Sequence, residues 1–90
     1  MEVDVLRIER NAKASGPHEI AYDVKTRING RDGAFEALVA TGHVGPDPIS
    51  YAMFRDPGEM RIFRHDQRPL TAILSGVLDV YNREQALLPT

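Results

Sequence analysis

The stretch from Asp66 to Leu87, DQRPLTAILSGVLDVYNREQAL, decides how this chain folds. Leu70, Ile73, Leu74, Val77, Leu78 and Tyr81 recur at intervals of three and four, which places them on one face of a helix. The carboxylate of Asp66 can accept a hydrogen bond from an orphan N–H of the first turn. Pro69 falls inside that turn, where its missing N–H is not needed. The helix should end near Ala86 or Leu87, because Pro89 prevents extension. Burying the six stripe residues would contribute roughly 9–18 kcal/mol of transfer free energy, most of it offset by the entropy of ordering the chain. Such a helix needs a surface to cover.

Everything upstream reads as strands broken by turn residues. Val3 to Arg10 is a first strand, and Asn11 to Pro17 is a loop closed by Gly16-Pro17. From Glu19 to Ile28 the residues Ile20, Tyr22, Val24, Thr26 and Ile28 alternate with Glu19, Ala21, Asp23, Lys25 and Arg27. That period of two marks a sheet with one wet face. Asn29-Gly30 and Asp32-Gly33 can each make the following hairpin turn. A turn at Asn29-Gly30 sets Asp23 opposite Glu36, and facing like charges cost a few tenths to about 1 kcal/mol. Asp32-Gly33 is therefore the favoured turn. Either register puts Phe35, Ala37 and Val39 on the face of Tyr22 and Val24.

Ala34 to Thr41 is the third strand and Gly42 to Pro48 a loop. Ile49 to Arg55 and Met60 to His65 make a last hairpin around Asp56-Pro57-Gly58-Glu59. That hairpin pairs Met53 with Ile62 and Tyr51 with Arg64 on one face, and Ala52 with Phe63 and Phe54 with Arg61 on the other. The expected fold is a single α+β domain over residues 1–90: a roughly five-stranded, mostly antiparallel meander with one C-terminal amphipathic helix on one face. Leu74 and Val77 should pack against Tyr22, Val24, Phe35, Met53 and Ile62.

Composition narrows the function classes. A net charge of −2 supplies no global field toward nucleic acid or an anionic membrane. The chain has no cysteine, so thiolate chemistry and Cys-based metal sites are excluded. No run approaches the roughly 20 apolar residues that span a bilayer, and the N-terminus lacks a signal-peptide pattern. A cytoplasmic setting without membrane contact is the expectation.

No motif carries recognisable chemistry, and no catalytic residue, metal or cofactor is expected. His65-Asp66 has the composition of a base and its orienting carboxylate, but adjacent residues seldom face each other, and a capped helix start accounts for them. His18, His43 and His65 match no metal-ligand spacing. Thr41 to Pro48 holds two glycines but precedes a strand, whereas a phosphate loop needs a helix N-terminus behind it. Arg55, Arg61, Arg64 and Arg68 lie near Tyr51, Phe54 and Phe63, a combination suited to single-stranded nucleic acid. Interleaved Asp47, Asp56, Glu59 and Asp66 bring the local charge near zero. Gly16-Pro17-His18, alternating Tyr22, Val24 and Ile28, and Asn29-Gly30 resemble the first loop and strand of a double-stranded-RNA-binding domain. The helix that precedes them in that family is missing. Its lysine-rich segment reads Asp66-Gln67-Arg68-Pro69 here, so no family is assigned.

Two surfaces invite a partner. Leu38, Ala40, Ala52, Phe54 and Phe63 point away from the helix in this reading. They are covered either by the first strand or by a second subunit, and a patch left open marks an interaction site. The outer helix face, with Ala72, Ser75, Gly76 and Asp79, is small enough for close packing, and Gly76 costs roughly 1 kcal/mol relative to alanine in mid-helix. The first expectation is a non-enzymatic interaction or regulatory module whose partner is a second copy, with a further protein partner left open. Its surface would use Leu38, Phe54, Phe63, Arg61, Ala72 and Gly76. The alternatives are a nucleic-acid module using the last hairpin, and a small-molecule binder or enzyme with His43, His65 and Asp66 at a subunit boundary.

Overall fold

The computed structural model describes residues 2–56, 58, 61 and 63–87. Four strands, β1 (Val3–Asn11), β2 (Glu19–Ile28), β3 (Arg31–Val44) and β4 (Asp47–Phe54), precede one helix, α1 (Arg68–Leu87). Sheet order follows chain order, β1-β2-β3-β4, and every pairing is antiparallel. The protein is an α+β meander with a C-terminal helix, as the periodicities require.

The β2–β3 turn is Asn29-Gly30, which corrects the expected Asp32-Gly33. Asn29 and Gly30 have φ of 51° and 80°, the left-handed pair of a type I′ hairpin. Asn29 is also tied to Glu2: its N–H donates to Glu2 O at 2.9 Å, and Glu2 N–H donates to Asn29 Oδ1 at 3.0 Å. Asp23 does face Glu36. Each carboxylate has its own partner, however. Asn11 Nδ2 donates to Asp23 Oδ2 at 3.2 Å, and Arg55 Nε lies 2.7 Å from Glu36 Oε1. Those contacts offset a repulsion of no more than about 1 kcal/mol.

The expected loop at Gly42 to Pro48 is instead a two-residue turn, with Val44 paired to Asp47 across Gly45-Pro46. Gly45 has φ 61°, and the proline ring fixes the next φ negative. That is the sequence of a II′ hairpin turn. The turn inverts the expected faces of β4. Ala52 pairs with Val39 and Phe54 with Ala37, so both lie under the helix. Tyr51 pairs with Ala40 and Met53 with Leu38, so both lie on the other face.

The expected fifth strand is absent from its described part. Arg64 N–H donates to Arg61 O and Asp66 N–H to Phe63 O, tight i-to-i+3 turns that bring the chain round to the helix. Met60 and Ile62 lie outside the described residues. Phe63 thereby reaches the core, fully buried, with ring centroids 5.9 Å from Phe35 and 6.3 Å from Phe54.

The core joins Tyr22, Val24, Ala37, Val39, Phe54 and Phe63 to Ile73 and Val77 of α1. Val77 is central as expected. Leu74 is half-buried, and Ile73 holds the second central position. At the far end of the helix, Tyr22 Oη donates to Glu84 Oε2 at 3.4 Å and Arg10 Nε lies 2.9 Å from the same oxygen. This contact ties β1, β2 and α1 together. Burial raises the Tyr22 pKa above its ordinary value, so the phenol stays protonated.

Candidate interaction surface

A sheet with four strands has two edges, and these two differ. β1 carries Asp4, Arg7, Glu9 and Arg10, and a bulge interrupts its register between Val5 and Arg7. Charge and bulging are devices that keep an edge from pairing. β4 has neither between Ile49 and Met53, where Ile-Ser-Tyr-Ala-Met runs without a charge. Arg55 N–H donates to Glu36 O at 2.9 Å, which fixes the phase of the β3–β4 ladder. In an antiparallel ladder the main-chain direction alternates. The N–H and C=O of Ser50 and Ala52 therefore point outward, along an edge that no strand pairs with among the described residues.

Apolar rows flank this edge on both sides. On the helix side, Leu70, Leu74 and Leu78 are spaced four apart and only half-buried. With Ser50 and Ala52 they line a groove between α1 and β4. On the other side, Ile49, Tyr51 and Met53 are 40, 43 and 38% exposed.

Asp23, Lys25 and Ala34 on that second face stay exposed, but a patch around Ala21 and Leu38 is closed by a device the sequence did not reveal. The loop after β1 is strapped across it. Ser15 Oγ accepts from Ala21 N–H and donates to Asn11 O, both at 2.9 Å. Arg55 Nη2 donates to Ala14 O at 2.6 Å. Beneath this strap Ala21 is fully buried and Leu38 is 8% exposed. Neither β1 nor a second subunit is needed to cover them.

The expected patch of Leu38, Phe54 and Phe63 is therefore not one surface. Leu38 is on the strapped face, while Phe54 and Phe63 are core residues beneath the helix. Gly76 is likewise not on the outer helix face. A Cβ there would sit 3.3 Å from Ile8 Cδ1, so the glycine lets α1 approach β1 closely. Ala72 is exposed on the helix, and Arg61 is exposed in the turns before it. Phe54 is misplaced by the β3–β4 turn, Phe63 by the turns that stand where a fifth strand was expected, and Gly76 by the packing of α1 on β1. Gly45-Pro46 was the signal that fixes which β4 residues face the helix.

The polar candidates do not converge. His43 is exposed on β3 opposite Pro48, and His65 is exposed beside Arg64, whose Nε lies 3.1 Å from His65 Nε2. Among the described residues no group of three or more His, Asp or Glu is placed to hold a metal. Asp66 lies two residues before α1 and binds its first residue: Arg68 N–H and Arg68 Nε donate to its Oδ1 at 3.1 and 3.0 Å. The Arg68 side chain, then its backbone N–H, lowers the Asp66 pKa from 3.8 to about 2. A depressed carboxylate stabilises the fold above its unfolded pKa, and that contribution disappears as pH falls through the folded value. Thermal midpoints should therefore fall more steeply for the wild type than for Asp66→Asn between pH 4 and 2. Parallel curves would contradict this.

Among the described residues no helix is long and apolar enough to cross a membrane. No family model, curated protein or solved structure matches the chain.

Proposed function

We propose that this chain is a non-enzymatic interaction module that self-associates through the open edge of β4. The observation that carries this is the contrast between the edges. β1 is guarded by charges and a bulge, whereas β4 presents uncharged Ile49–Met53 between one half-buried and one exposed apolar row. Large apolar side chains beside unpaired strand hydrogen-bonding groups favour strand addition, where main-chain bonds give affinity and side chains give specificity. A reducing, cytoplasmic setting suits a chain without cysteine. A nucleic-acid surface is the weaker reading, because Arg55 and Arg68 already pair with Glu36 and Asp66.

Sedimentation across a concentration series tests the proposal. The average mass should rise from about one chain toward two between low and high micromolar protein, with little change on adding salt. A monomer at high micromolar concentration would overturn self-association. Tight binding to single-stranded oligonucleotides with a steep salt slope would favour the arginine surface instead.

A further inference from the structure

We infer that two copies join β4 to β4 in one antiparallel register, centred on Tyr51 about a twofold axis normal to the sheet. The inference rests on the proposed self-association and specifies its geometry. The strand must meet its own copy antiparallel, so residue i faces a residue fixed by the centre. The outward main-chain groups belong to even-numbered residues, and a centre must keep even opposite even. Any residue can then be the centre, and Ser50, Tyr51 and Ala52 are those that keep at least three residues of uncharged Ile49–Met53 paired among themselves.

Side chains and Pro48 choose among them. Centring on Ser50 sets Asp47 against Met53 and Pro48 against Ala52. The missing proline N–H then leaves the Ala52 carbonyl unpaired inside the seam. Centring on Ala52 sets Ile49 against Arg55. Centring on Tyr51 pairs Ile49 with Met53 and Tyr51 with its own copy, both in the non-hydrogen-bonded sites where side chains approach closest. Ser50 and Ala52 then exchange main-chain hydrogen bonds. Asp47 falls opposite Arg55, opposite in sign although Arg55 already pairs with Glu36 of its own chain, and Pro48 falls at the end of the seam. A twofold axis normal to the sheet also puts both helices on one side. The half-buried Leu70, Leu74 and Leu78 of each copy then flank the seam over the small Ser50 and Ala52.

The chain has no cysteine, so single cysteines report the register without background. In a non-hydrogen-bonded antiparallel pair the Cα atoms are about 4.5 Å apart, within disulfide reach. Under mild oxidation, and at a concentration where sedimentation shows each variant to be dimeric, Tyr51→Cys chains should crosslink to dimer at least tenfold faster than Ser50→Cys or Ala52→Cys chains. An equimolar mixture of Ile49→Cys and Met53→Cys chains, which keeps Tyr51, should give mainly the mixed disulfide. Fastest crosslinking by Ser50→Cys or Ala52→Cys overturns this register while leaving self-association standing. So does a mixture that forms no mixed disulfide. A wild type that stays monomeric in sedimentation overturns both.

Discussion

Replacing Phe63 with aspartate will unfold this protein. Phe63 is fully buried, and its ring stacks within 9° of parallel with Phe54 while also contacting Phe35. Truncating a core phenylalanine to alanine costs about 3–5 kcal/mol. A carboxylate at the same place adds the cost of an unpaired buried charge, several kcal/mol even after relaxation. A domain of this size has a stability of order 5–15 kcal/mol to lose. Circular dichroism of Phe63→Asp should show no cooperative thermal transition, whereas Phe63→Leu, which keeps most of the apolar volume, should melt cooperatively at a lower temperature. A normal transition for Phe63→Asp would take Phe63 out of the core and make it a surface residue.

Reading Phe63 as part of a strand leaves open whether the same chain or a second subunit covers it. The reason is physical. The stripe on α1 and the alternation in β2 are local periodicities, and both are legible: Ile73 and Val77 lie against Tyr22 and Val24. The facing of β4 is not local. It depends on whether two residues or seven separate it from β3, and a one-residue slip reverses every side chain. β4 is apolar on both faces, with Ile49, Tyr51 and Met53 on one and Ala52 and Phe54 on the other. Hydrophobicity therefore cannot choose between them. The same limit applies to the first hairpin. Asp23 facing Glu36 looks unfavourable as a pair, but Asn11 and Arg55, distant in sequence, supply the partners. The sequence showed apolar residues on both faces of the sheet, and so a need for cover on the second face. Which of its residues stay exposed was not legible, because the strap from Ala14 and Ser15 hides Leu38 and leaves Tyr51 and Met53 in the open.

Tyr51→Lys should separate association from folding. Tyr51 is 43% exposed within one chain and lies on the strand face away from the helix core. Its replacement by a long polar side chain should leave the thermal transition of the single chain nearly unchanged, since surface substitutions usually stay within about 0.5 kcal/mol. In the self-associated form the same change acts twice, once in each copy. It removes a central aromatic contact of the kind that carries most binding energy, roughly 2 kcal/mol when truncated. It also sets two lysines face to face at the axis, and a lysine on a strand edge is itself a guard against pairing. Together these should weaken self-association by about 100-fold or more, so that sedimentation finds a folded monomer where the wild type is dimeric. Adding salt should recover part of the lost affinity, because screening weakens the repulsion between the two ammonium groups but cannot replace the ring. Equal dimerisation of the two proteins would place the interface away from β4. A variant that fails to fold would mean that Tyr51 belongs to the core after all.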